Sequence, residues 1–240
     1  MKKILIIMFI ILGILGFSKS VHKTGKKNDV TELVFILDRS GSMSGLETDT
    51  IGGYNSMVDK QKKETNGQIF VTTVLFDDKY ELLHNRIAIS EMKHITDKDY
   101  YVRGGTALLD AIGKTISQVK SNQNKLRNKE KAKKILFIIV TDGMENASKE
   151  YSAEVVKKLI ETQKSKDKWE FLFLGANIDA IGTAGNFGIE PSRAVNYKSD
   201  SHGTKKNYEV LNEAIMEIRS GKELKDTWKK EIEDDYNKRK

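Results

Sequence analysis

Four apolar runs, each stopped by an aspartate, a threonine or a glycine, constrain this chain more than any other feature. Leu33-Val34-Phe35-Ile36-Leu37 stops at Asp38, and Ile69 to Phe76 stops at Asp77. Ile135 to Val140 stops at Thr141-Asp142-Gly143, and Trp169 to Leu174 stops at Gly175. Continuous apolar runs, as opposed to alternating ones, mark strands covered on both faces. Between them lie helical patterns. One covers about Thr50 to Lys63. A second carries Leu108, Leu109, Ile112, Ile116 and Val119 on one face. A third carries Val155, Val156, Leu159 and Ile160, and a fourth, over about Thr204 to Arg219, carries Tyr208, Leu211, Ile215 and Ile218. Strands alternating with helices build a mainly parallel sheet with helices on both sides, a doubly wound three-layer α/β/α sandwich. One segment departs from the pattern. Lys79 to Arg86 is more polar and follows the Asp77-Asp78 turn, which suits an antiparallel edge strand closing a hairpin. Asp179 to Phe187 reads as a short helix or turn, and Ala194 to Tyr197 as a last short strand.

The N-terminus reads differently. Met1-Lys2-Lys3 precedes an apolar run from Ile4 to Phe17, and Ser18-Lys19-Ser20 follows with small residues. That is the layout of a secretory signal over residues 1–20. Such a run spans only ~21 Å as a helix, short of the ~30 Å hydrocarbon core. A cleaved signal is therefore favoured over an uncleaved anchor, and the expected location is secreted or periplasmic, with membrane anchoring as the alternative. The chain has no cysteine, which removes disulfides, thiolate zinc sites and a lipoprotein anchor. Residues 21–29 read as a polar linker, 30–219 as one domain, and 220–240 as a charged helical tail. In that tail Leu224, Trp228 and Ile232 recur every fourth residue, a stripe expected to dock on its own domain.

The 41 basic and 34 acidic residues leave a formal charge of +7. Without the first twenty residues the excess is smaller still, and it is interspersed with acids. This is a solvated surface and not a nucleic-acid-binding one.

The candidate chemistry collects at strand ends. In an open α/β sheet, ligands bind beyond the carboxyl ends of the strands. Asp38, Ser40 and Ser42 follow the first strand, Thr106 follows Gly104-Gly105 at a helix start, and Asp142 closes the Ile135–Val140 strand. All five offer oxygen, which selects magnesium, calcium or manganese over zinc or copper. Each residue also has an ordinary structural explanation. The serines suit turns, Thr106 suits a helix N-cap, and Asp142 before a glycine suits a turn. Their joint placement at matching strand ends favours a site.

Here the chain resembles the von Willebrand factor type A domains, whose fold is Rossmann-like. Asp38-Arg39-Ser40-Gly41-Ser42 matches their D-x-S-x-S motif, Thr106 their lone threonine, and Asp142-Gly143 the aspartate of their third loop. The resemblance implies a metal-ion-dependent adhesion site. Ser40, Ser42 and Thr106 would bind a divalent cation, usually magnesium, with Asp38 and Asp142 nearby, directly or through water. An open position on the ion would accept an Asp or Glu carboxylate from a protein partner. The implied role is adhesion or complex assembly in a bacterial-type exported protein, and not catalysis.

Other chemistry is weakly signalled. A magnesium-dependent hydrolase with Asp38 as nucleophile would want a second aspartate two residues on, where Ser40 stands. Gly41-Ser42-Met43-Ser44-Gly45 misses the hydrolase elbow G-x-S-x-G because methionine occupies its centre. His22, His84, His94 and His202 show no metal-ligand spacing. Glu145 is expected to be a helix-start or surface acid.

Overall fold

A computed structural model describes residues 29–64 and 67–239. The expected signal and nearly all of the linker lie outside these described residues. Strand β1 (Val30–Asp38) leads through α1 (Glu47–Lys63) to β2 (Gln68–Phe76). A hairpin returns as β3 (Tyr80–Ala88), and a long irregular stretch leads to α2 (Leu108–Lys125). Then follow β4 (Lys134–Thr141), α3 (Ala153–Asp167), β5 (Glu170–Gly175), α4 (Ala180–Asn186), β6 (Ala194–Asn196), α5 (Ser201–Arg219) and α6 (Lys230–Lys238). The sheet order is β3-β2-β1-β4-β5-β6, with only β3 antiparallel to its neighbour. This is the three-layer α/β/α sandwich with one antiparallel edge strand.

Strand periodicity divides the core in two. Leu33, Phe35 and Leu37 of β1, with Leu136, Ile138 and Val140 of β4, face α1, α5 and α6. Val34 and Ile36, with Ile135, Phe137 and Ile139, face α2, α3 and α4. Every one of these side chains is buried. Each is worth roughly 1.5–3 kcal/mol when taken fully out of water. A single polar substitution on β1 or β4 would therefore strike one of two closed cores.

This topology also places the site. β1 pairs with β2 on one side and β4 on the other. From β1 the chain crosses one face through α1, and from β4 it crosses the other through α3. The loops leaving these adjacent strands therefore part in opposite directions and open a crevice between them, the switch point of an open sheet.

Residues 220–239 pack onto the domain. The stripe is not one helix: Leu224 precedes a 3₁₀ turn at Asp226–Lys229 that carries Trp228, and Ile232 lies in α6. Leu224 and Ile232 join the core on the α1/α5 side, with Trp228 against it. Trp228 Nε1 donates to Ser192 O at 2.8 Å, and Lys229 Nζ donates to Pro191 O at 2.8 Å and Ala194 O at 2.9 Å. These bonds hold the tail beside the short strand β6. Trp228→Phe keeps the apolar contact but removes the indole donor. It is expected to cost about 1 kcal/mol in urea unfolding, and an unchanged midpoint would show that the bond contributes nothing.

Candidate functional site

The side chains singled out in the sequence meet at the crevice. β1 and β4 run in register, with Leu37 opposite Val140, so Asp38 and Thr141 end the two strands side by side. Thr141 Oγ1 donates to Asp38 Oδ2 at 2.6 Å, and the Ser40 backbone N–H donates to Asp38 Oδ1 at 2.7 Å. Asp38 thus folds its own loop back on itself. Tyr100, buried beneath, donates its hydroxyl to Asp38 O at 2.5 Å and fixes the strand end from the other face.

The three hydroxyls form a chain. Thr106 Oγ1 donates to Ser40 Oγ at 3.0 Å, and Ser40 Oγ lies 3.0 Å from Ser42 Oγ. Thr106 is not the helix cap that its position suggests, because Ala107 occupies that place and α2 begins at Leu108. Its hydroxyl is turned toward the first loop instead. Its backbone N–H is satisfied by Asn146 Oδ1 at 2.8 Å. Gly143 closes the third side. A Cβ on Gly143 would lie 2.9 Å from Ser42 Oγ and 3.1 Å from Thr106 Oγ1. Only a residue without a side chain leaves the space beside these two hydroxyls free.

Asp142 is buried, and its carboxylate accepts hydrogen bonds from Asn177 Nδ2 and Ser199 Oγ. Burial raises the Asp142 carboxyl above the ordinary aspartate value, and the nearby Asp38 carboxylate adds to the effect, against these two donors. Asp38 is also raised by burial, against the hydrogen bonds from Thr141 and Ser40. Two acids thus sit close enough to repel. Among the described residues neither is ion-paired to a lysine, arginine or histidine.

The loops are held by a network that sequence reading missed. Arg39, the variable residue of the D-x-S-x-S stretch, is fully buried. It donates from Nε to Asp77 Oδ2 at 3.0 Å and from Nη2 to Glu81 Oε2 at 2.7 Å. Arg103 Nε reaches the same Asp77 oxygen at 2.7 Å. The Asp77 carbonyl accepts from Ala107 N at 2.8 Å, and Arg103 N donates to Arg39 O at 2.9 Å. Asp77 therefore ties the Ser40 loop to both ends of the Thr106 loop. Gly104, with φ of +64°, packs its backbone against Asp78 where a side chain would collide.

The third loop is anchored to α2. Glu145 accepts from Leu109 N at 2.9 Å, Ala147 N at 3.0 Å and Ser148 N at 2.8 Å, which makes it a loop clasp and not a surface acid. Asp110 accepts from the backbone N–H groups of Lys149, Glu150 and Tyr151 at 2.8–2.9 Å. Burial works to raise the Asp110 carboxyl, but those three donors and Lys114 outweigh it and hold it below its ordinary value. A folded value below the unfolded one stabilises above the unfolded value and loses that stabilisation as pH falls through the folded one. Asp110→Asn is therefore expected to cost on the order of 1 kcal/mol near neutral pH. The gap between variant and parent should narrow below about pH 4, and a gap constant from pH 7 to 3 would contradict the assignment.

No family model matches the sequence, and no curated protein is found to be similar to it. Solved structures are similar. Proximal thread matrix protein 1 from the mussel byssus superposes with a TM-score of 0.55 at 15% identity, over 77% of this chain and 45% of that one. A von Willebrand factor type A protein from Catenulispora acidiphila gives 0.54 at 13% identity, over 78% and 43%. This chain has the von Willebrand factor type A fold. The PilB minor pilin from Streptococcus sanguinis shares it, with a TM-score of 0.54 at 11% identity over 80% of this chain and 62% of that one. The chain thus spans less than half the length of the mussel protein and less than two thirds of the pilin. The mussel protein has also been solved with zinc in its metal-ion-dependent adhesion motif. At these identities the likeness speaks to the fold.

Proposed function

We propose that this protein is an exported binding module that holds one divalent cation, magnesium by preference, and grips a protein partner through that partner's Asp or Glu carboxylate. Ser40, Ser42 and Thr106 would hold the ion through their hydroxyls, with Asp38 and Asp142 supplying negative charge beside them. The observation that carries this reading is the pairing of a hydroxyl cluster, open to solvent at Ser42 and buried at Ser40 and Thr106, with two buried acids that have no cationic partner among the described residues. Buried charges are expensive unless compensated, and a divalent ion is the compensation that this oxygen-only donor set fits. Among the described residues no group of three or more His, Cys, Asp or Glu side chains is placed to hold a metal. The hydroxyls are therefore indispensable to the proposed site. Neutral hydroxyl donors neutralise little of the ion's charge, which leaves it attractive to an incoming carboxylate.

Adhesion or complex assembly suits this arrangement better than hydrolysis. Asp38 has both oxygens engaged, by Ser40 and Thr141, and is almost fully buried. A nucleophile needs a free, accessible oxygen. The signal-like N-terminus supports export, and solved neighbours of the same fold include a byssal matrix protein and a minor pilin. Among the described residues no helix is long and apolar enough to cross a membrane.

Calorimetric titration of magnesium and manganese into the protein tests the reading, with Asp142→Ala as the control. One-site binding to the parent and at least about tenfold weaker binding to the variant are expected. Absence of binding to folded parent protein would overturn it.

A further inference from the structure

Only three large apolar side chains among the described residues are well exposed: Tyr101 at 42%, Met144 at 73% and Val155 at 46%. Single exposed apolar residues are ordinary on protein surfaces. Their common location is not. All three lie at the end of the sheet where β1, β2 and β4 finish. Tyr101 stands in the stretch that runs into Thr106, Met144 follows Gly143, and Val155 is in the first turn of α3. Two of them therefore stand in the loops that carry the site, Tyr101 in the one that leads to Thr106 and Met144 in the one that carries Asp142.

Tyr101 is also held in place. Its ring lies 5.4 Å from the Arg39 guanidinium carbon and 5.1 Å from that of Arg103, and its hydroxyl accepts from Arg103 Nη1 at 2.9 Å. Both arginines are fixed by Asp77. A partly exposed aromatic ring locked by a buried network has little freedom left to lose when a partner covers it, which is what makes such rings effective anchors. Met144 is the opposite kind of group, unbranched and adaptable to an irregular surface.

We infer that Tyr101 and Met144 form two apolar lips of the docking surface, and that the partner presents its carboxylate between apolar side chains. This inference rests on the cation-dependent grip proposed above and adds the chemistry of the flanks. The occupant is a protein segment with an acidic residue at its centre. A flat side chain, aromatic or proline, lies over Tyr101 on one side, and an aliphatic side chain meets Met144 on the other. The charge complements the proposed ion, and the apolar neighbours complement the lips. A small free anion or a polyacidic stretch would satisfy the first requirement and leave both lips wet.

Two fluorescent peptides test this against the purified full chain, in magnesium and in chelator. One carries glutamate between glycines, and the other carries glutamate between phenylalanine and leucine. The second is expected to bind about tenfold more tightly in magnesium, the scale of one well-buried apolar contact. Tyr101→Ser with Met144→Ser should erase that advantage, and Met144→Ser alone should reduce it while leaving the glycine-flanked peptide and its magnesium dependence unchanged. Tyr101→Phe, which keeps the ring, should retain it. The single Met144→Ser variant alters a mostly exposed side chain and gives a readout if the double variant fails to fold. Equal affinity of the two peptides in magnesium would overturn the apolar flanks and leave the metal-dependent grip standing. An advantage that survives in folded variants would overturn the flanks as well. No magnesium-dependent binding of either peptide would bring down both readings.

Discussion

Asp77→Ala is expected to be among the most damaging single substitutions outside the apolar core, costing about 3–4 kcal/mol. Asp77 is fully buried and takes hydrogen bonds from two guanidiniums through one oxygen. Its other oxygen accepts from Lys79 N at 2.7 Å. Removing it leaves the buried Arg39 with Glu81 and the Asp99 carbonyl as its remaining partners, and leaves Arg103 without its ion pair. Breaking a buried pair from one side exposes the full desolvation cost of the other. Burial pushes the Asp77 carboxyl up, but Arg103, the Lys79 N–H and Arg39 more than reverse this and hold it below the ordinary range. Urea unfolding at neutral pH measures the loss, and a cost below about 1 kcal/mol would mean that the network is loosely held. Arg39→Met combined with Asp77→Ala should recover part of the loss, because the stranded charge leaves with its partner. A positive coupling of about 1–3 kcal/mol in the double-mutant cycle would register it.

That network also shows where sequence reading reached its limit. Asp38, Ser40 and Ser42 were legible because loop chemistry directly after a strand is local, Thr106 because of its Gly-Gly loop before a helix and the family resemblance, and the three-layer sheet because continuous apolar runs are local too. Arg39 looked like filler between motif residues, and Asp77 like half of a turn. Their partners lie 38 and 26 residues away in the chain, a separation at which no periodicity speaks. Asn177 and Ser199, which hold Asp142, were missed for the same reason. Each sits in an irregular loop after a different strand, and only the sheet order brings them beside β4. Asn177 does carry a local trace, a φ of +54° that asparagine tolerates better than most residues. Helix starts were misjudged by a few residues. α5 begins behind Asp200, which caps it by accepting from Gly203 N at 2.8 Å, whereas α1 begins at Glu47 behind Leu46 with no side-chain cap. The tail stripe pointed to docking, but its division into a 3₁₀ turn and a helix depends on Lys229 reaching the carbonyls of Pro191 and Ala194.

Magnesium is expected to raise the melting temperature of the parent protein, and Gly143→Val to abolish that rise. Binding to the folded state alone stabilises by about 2.7 kcal/mol at a hundredfold excess over the dissociation constant. For a domain of this size that corresponds to roughly 5–10 °C. Gly143 is the discriminating position because its backbone is not in the left-handed region, so a side chain there meets no backbone strain. What the new side chain meets is the pair of hydroxyls from Ser42 and Thr106, at 2.9 and 3.1 Å from its Cβ. Valine would cover the face of the cluster that the ion needs while leaving every proposed ligand in the chain. The metal-free variant should melt within a few degrees of the metal-free parent, since Gly143 is only half-buried and lies outside both cores. Substituting Asp142 alters charge as well as ligation, so loss of binding there has two explanations. Loss at Gly143 has one, the occupation of space. A Gly143→Val protein that still gains several degrees from magnesium would place the ion elsewhere, and with it the surface on which a partner's carboxylate is read.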